Sequence, residues 1–143
     1  MKTPMIAMLG AAAVALAAYT FTRDDPVEAT DLPQIEGQPM VAVTRPETLT
    51  AEATMGKRAF DATCAACHGN DSAGKLGSGP PLVHKVYEPS HHSDMAFVLA
   101  VQNGVRSHHW RFGDMPAQSG LTKADVAAIT TYVRELQRTN GIN

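Results

Sequence analysis

Aromatic side chains are scarce in this chain of 143 residues, which has one Trp, three Tyr and four Phe. A core with so few large rings has room for something besides side chains. Cysteine is scarcer still. Cys64 and Cys67 are the whole complement, so no second pair exists to complete a structural zinc site of the paired kind. A disulfide between them would close too small a loop to stabilise much. Basic runs and stripes are missing, which sets a nucleic-acid partner aside. No strand pattern and no internal repeat can be found. Charge is absent from Thr3 to Thr22, and the net charge of −2 is unevenly spread. Residues 24–49 hold Asp24, Asp25, Glu28, Asp31, Glu36 and Glu47 against Arg45 alone, whereas the chain from Thr50 onward is nearly neutral.

These distributions divide the chain into three parts. Residues 1–23 read as an export signal or membrane anchor, with Lys2 as the positive start and an apolar stretch from Met5 to Ala18. Ala15-Leu16-Ala17 resembles a small-residue cleavage site, while the uncharged stretch is just long enough to span roughly 30 Å of hydrocarbon if it is retained. Both outcomes stay open at this point, and both export the rest of the chain. Residues 24–49 read as an acidic, proline-rich tether, since Pro26, Pro33, Pro39 and Pro46 oppose a helix and the acids repel one another. A tether favours retention through residues 3–22, at the periplasmic side of a bacterial inner membrane. Residues 50–143 form the compact domain.

Within that domain the expected class is all-α, with short helices joined by long loops. A first helix covers 51–63, with Thr50 as N-cap and Glu52 in the first turn. Residues 69–89 are rich in Gly, Pro and Ser and read as loop. A second helix starts at Ser93, runs through Met95–Val101 and stops at Asn103-Gly104. The last helix has the strongest signal: Thr122 and Asp125 make a capping box, and Val126, Ile129, Val133 and Leu136 form one stripe. Loops this long call for a reason, and a planar apolar cofactor wrapped by them would supply one.

The segment Cys64-Ala65-Ala66-Cys67-His68 is a c-type haem attachment sequence. Two thiols one helical turn apart can each reach a vinyl group on one porphyrin edge, and the adjacent His68 then offers a neutral nitrogen to the iron. A thioredoxin-like use of the same cysteines would need strands around them. A six-coordinate iron needs a second axial ligand, and Met115, in a loop between Asp114 and Pro116, is a soft thioether suited to it. Met55 and Met95 fall in helices and read as core residues.

From Gly56 to Gln137 the chain resembles the class I cytochromes c, in particular small bacterial mono-haem members. The shared pattern is Cys-x-x-Cys-His at the end of a first helix, then Gly79-Pro80-Pro81-Leu82, then Asp114-Met115-Pro116 and a C-terminal amphipathic helix. The resemblance implies a cytochrome c fold around one covalent haem c. It also implies that the Pro80 carbonyl accepts the Nδ1–H of His68 and that Leu82 touches the haem. The first and last helices would cross through Gly56, Phe60 and Tyr132.

The stretch from Ser107 to Phe112 departs from the family pattern. Trp110 and either Arg106 or Arg111 are candidates for holding haem propionates, with packing of Trp110 at the haem edge as the alternative. His108 or His109 is a rival to Met115 for the iron. His84, His91, His92, His108 and His109 also raise the idea of a second metal, although neighbours in sequence rarely face one ion.

The function expected is a one-electron carrier, respiratory or photosynthetic, working as a monomer between donor and acceptor complexes and not as an enzyme. The alternatives are a haem subunit of a larger oxidoreductase, a haem protein that binds a small ligand, and a metal-handling module.

Overall fold

The computed structural model describes residues 30–143. The export segment, and the tether as far as residue 29, lie outside the described residues. Four helices carry the domain: α1 (Ala51–Thr63), α2 (Ala65–His68), α3 (Asp94–Asn103) and α4 (Lys123–Thr139). Single 3₁₀ turns at Asn70–Ser72 and Lys85–Tyr87 punctuate the loop between α2 and α3. The architecture is all-α, as the periodicity predicts.

Local chemistry accounts for the helix ends. The Thr50 hydroxyl oxygen accepts the Ala53 N–H at 3.2 Å, satisfying one of the free donors that every helix start exposes. The same hydroxyl donates to Glu135 of α4 at 2.6 Å, so the start of α1 is pinned to the far end of its partner helix. At the start of α4, Thr122 and Asp125 form the reciprocal capping box. Gly104, at φ +72°, ends α3 in a backbone conformation that glycine adopts without strain.

The core lies where α1 crosses α4. Ala53, Phe60, Val83, Ile129, Tyr132, Val133 and Leu136 are each at most 3 % exposed, and burying side chains of the larger apolar kinds is worth about 1.5–3 kcal/mol apiece. Phe60 and Tyr132 meet edge to face with ring centroids 5.6 Å apart. Gly56 makes the approach possible. A Cβ built there would lie 1.8 Å from the Ala128 carbonyl oxygen and 2.3 Å from its carbon.

Polar side chains on α4 are as buried as the apolar stripe, a feature the stripe does not announce. Gln137 is fully buried and donates to the carbonyls of Leu82 (2.8 Å) and Tyr87 (3.0 Å). Arg134, 6 % exposed, donates to Asp94 (2.8 Å), to the Tyr87 carbonyl (2.8 Å) and to the His92 carbonyl, with its guanidinium over the Phe97 ring. These bonds hold the loop before α3 in place of a ladder it does not have.

The segment read as a tether is not free from Thr30 on. β1 (Thr30–Asp31) pairs antiparallel with β2 (Val41–Ala42). Met40 and Val41 are buried, and both of their amides donate to the Ala73 carbonyl. The Leu76 amide donates to Gln38, and the Gly37 amide to Leu76. Asn140, at the end of α4, accepts from the Thr44 amide at 2.9 Å and donates to its carbonyl at 2.8 Å. Arg45 pairs with Asp71. The acidic average of residues 24–49 hides the short apolar run Met40-Val41-Ala42-Val43, which is enough to dock a strand when loop carbonyls stand ready beside it. Met55 and Met95, expected in the core, are each 60 % exposed.

Replacing Gly56 by Ala places a methyl group against the backbone of α4, which cannot swing aside as a side chain would. The variant is expected to lose about 1–3 kcal/mol, the range for overpacking. Chemical denaturation of the holoprotein measures this, and an unchanged midpoint would show that the crossing does not need the glycine.

Candidate functional site

The end of α1 sets the site. The Cys64 amide still bonds back to Phe60 at 2.7 Å, and the Cys64 carbonyl accepts from the amides of Cys67 (3.2 Å) and His68 (2.9 Å). One further turn, α2, therefore follows at once and places the two thiols and the imidazole within a single helical rise. Both cysteines are free thiols, Cys64 half-buried and Cys67 exposed. Burial, with a smaller contribution from Cys67, pushes the Cys64 thiol up to about 11. Both cysteines lie at helix ends with no strand beside them among the described residues, unlike a thioredoxin-like dithiol.

His68 is 9 % exposed, and its Nδ1 lies 2.9 Å from the Pro80 carbonyl oxygen. A carbonyl can only accept, so Nδ1 carries the proton and Nε2 carries the lone pair. Burial draws the pKa of His68 below its usual value, the hydrogen bond to Pro80 opposing, and the ring stays neutral at neutral pH. The chain reaches Pro80 through a tight approach. A Cβ at Gly79 would sit 2.6 Å from the Cys67 carbonyl oxygen and 2.8 Å from its carbon. Beyond it, Pro81 is fully buried and Leu82, half-buried, packs against the core.

The second candidate ligand, Met115, lies in the irregular stretch after α3. Val105 and Met115 exchange both backbone hydrogen bonds at 2.9 Å, closing the loop between them. Inside it, the Ser107 amide donates to Asp114 at 2.8 Å and the Ser107 hydroxyl to the Trp110 carbonyl. Met115 itself is half-buried, in irregular structure. Trp110 stands edge-on to His84 at 5.3 Å and stacks on Phe112 at 5.9 Å. Its indole nitrogen is buried and has no hydrogen-bond partner, although the neighbouring Tyr87 hydroxyl lies close enough to feel it. Burial dominates that phenol and raises it to about 12. Arg106 and Arg111 are solvent-exposed.

His108 and His109, the rivals to Met115 for the iron, are both exposed. Their rings gather with those of His91 and His92 in one cluster, with His91 and His109 centroids 5.2 Å apart and His92 and His109 at 5.3 Å. His92 is held below its usual pKa by burial first, then by His91, His108 and Arg134. His84 stands apart, against Trp110.

Asp71 was not singled out by sequence reasoning. It sits at φ +53°, accepts from the Tyr132 hydroxyl at 3.1 Å and from Arg45, and thereby fixes the turn that leads away from His68. Its place in Gly69-Asn70-Asp71, directly after the attachment motif and rich in turn-forming residues, was the available signal.

The residues present fit a covalent haem. Two free thiols stand one turn apart beside a buried imidazole whose second nitrogen is left available, and an unpartnered indole N–H supplies a donor suited to a carboxylate.

Comparison with known proteins agrees with this geometry. The family model described as Cytochrome c matches residues 53–137, more than half of the chain. The chain is also 31 % identical, over 130 residues, to a protein of Azospirillum brasilense described as the CcoP subunit of a cbb3-type cytochrome c oxidase. That alignment covers 86 % of this chain and 41 % of the relative, so the chain spans well under half of the relative's length.

Gly79→Ala would force the Gly79-Pro80 segment off Cys67 and lengthen the contact that orients His68. The expected cost is about 1–3 kcal/mol of stability, together with weaker holoprotein formation. Denaturation midpoint and covalent haem content per chain check it, and a variant matching the parent in both would remove the tight approach from the account.

Proposed function

The chain belongs to the cytochrome c family, and on that footing we propose that it is a single-electron carrier whose haem c is ligated by His68 and Met115. Cys64 and Cys67 fit the thioether attachment motif of that cofactor. Bound haem supplies a ferric/ferrous couple, and no substrate bond is made or broken.

The observation that carries the reading is the hydrogen bond from His68 Nδ1 to Pro80, because it presents Nε2 at a fixed angle beside the two thiols. Gly79 and the turn at Asp71 keep that angle. The bridge between Val105 and Met115 fixes the Met115 backbone, and the Met115 thioether would serve as the sixth ligand. A thioether opposite an imidazole raises the potential into the range of a carrier. The Trp110 N–H is the donor for a propionate, with Arg111 at the solvent edge and Leu82 against the ring.

Redox complexes are the partners of such a protein. The relative described as an oxidase subunit supports a terminal oxidase as one of them, and it equally supports a second reading in which this chain is itself a haem subunit of a larger assembly. We place the domain on the outer face of a bacterial inner membrane, held through residues 3–22. Support for this comes from the sequence alone. Among the described residues, no helix is long and apolar enough to cross a membrane.

Met115→Ala is expected to lower the reduction potential, abolish the ferric thioether-to-iron charge-transfer band and admit carbon monoxide to the ferrous protein. Unchanged band and potential would dismiss Met115 as ligand. For the location, the haem-staining band should sediment with membranes after high-salt washing. An intact mass beginning at Ala18, in protein from the soluble periplasmic fraction, would replace the anchored carrier with a diffusing one.

A further inference from the structure

The four histidines gathered beside α3 have no part in the site described above. His91 and His92 precede the helix, while His108 and His109 follow it, and the chain doubles back so that the two pairs meet. We propose that His91, His92 and His109 form a second metal site, which takes a divalent first-row transition ion of the copper or zinc class.

Three facts of geometry support this. His91, His92 and His109 each offer a ligand nitrogen, and these three atoms all lie within 4.8 Å of one another. Metal–imidazole bonds of about 2.0–2.1 Å call for nitrogens roughly 3.4 Å apart in a tetrahedral arrangement. The rings must therefore close by about an ångström or somewhat more, and His91 and His109 are exposed side chains free to rotate by that much. His92 is the fixed member. Its Nδ1 donates to the Val86 carbonyl at 2.7 Å, which leaves Nε2 as the ligand atom. A carbonyl bound to the far nitrogen is the usual outer partner of a metal-binding histidine. The His92 backbone is itself held by the buried Arg134 through its carbonyl.

Ligand chemistry narrows the ion. An all-imidazole set, with neither thiolate nor carboxylate in the group, suits copper, zinc and nickel and gives calcium or magnesium nothing they prefer. The Irving–Williams order then puts copper(II) ahead of zinc. Three protein ligands leave at least one position for water or for a fourth group, and His108, with its ring 4.3 Å from that of His109, is within reach. Binding would tie the segment before α3 to the loop that carries Trp110 and ends at Met115.

The test uses the full-length ferric holoprotein. Calorimetric titration with zinc, which is redox-silent, should show one ion bound per chain. Electron paramagnetic resonance with copper(II), recorded where low-spin ferric haem is silent, should show hyperfine structure from several equivalent nitrogens. His91→Ala and His109→Ala alter exposed side chains, so both variants should keep the parent haem spectrum while weakening either ion by about 10-fold or more. Absence of saturable binding overturns the proposal. So does binding that survives unchanged in the doubly substituted protein, since the ion would then sit elsewhere.

Discussion

At Gly56 the backbone of α1 lies directly on the backbone of α4, and the placement of the remaining parts descends from that contact. With a side chain in the way, the helices would separate, and Phe60 would no longer meet Tyr132 edge to face. Because α1 is held, its last turn is held, and with it the short turn that carries Cys64, Cys67 and His68. Tyr132 extends the same control outward. Its hydroxyl reaches Asp71, and Asp71 in turn holds Arg45, so one aromatic residue connects the crossing to the turn after His68 and to the segment that docks over it.

α4 has two kinds of work, and they occupy neighbouring faces. Its apolar stripe makes the core with α1. The row Arg134, Gln137 and Asn140 caps loop carbonyls at Leu82, Tyr87, His92 and Thr44. Long loops bring many backbone groups without ladder partners, and each one buried unpaired would cost about 1–3 kcal/mol. Arg134 and Gln137 on the helix, with Asn140 at its C-cap, meet part of that need, which lets the loops pack while remaining irregular.

Features that depend on neighbours in sequence were the legible ones. All three longer helices follow from caps and period, because Thr50, Thr122 with Asp125, and Gly104 act on the backbone within a turn of themselves. Cys64, Cys67 and His68 are legible for the same reason, since attachment requires them one helical turn apart. Where the structure depends on the chain meeting itself, the sequence was silent. Met40 and Val41 looked like part of an acidic, proline-broken stretch, and only the carbonyl of Ala73 turns them into a docked strand. Arg134, Gln137 and Asn140 have the composition of a solvated face, yet their partners lie dozens of residues away. Met55 and Met95 show the reverse: apolar residues in helices that the fold leaves outside. The gathering of His91, His92 and His109 needs α3 to return the chain upon itself, and no local pattern reports such a reversal.

Asn140 has a consequence for the order in which the molecule can be assembled. Its side chain joins Thr44 across 96 positions of sequence, almost at the end of the chain. A polypeptide emerging from its N-terminus holds the attachment cysteines in hand long before this clamp exists, and before Gly56 has a partner. Until Asn140 has arrived, the strand around Met40 has nothing to fasten its far side, and the helix that leads to Cys64 has an uncovered face. Closing so long a loop is entropically expensive and is deferred until the helices reward it. The nascent chain is therefore an open clasp, accessible at its thiols, and the final turn of α4 is the catch that shuts it.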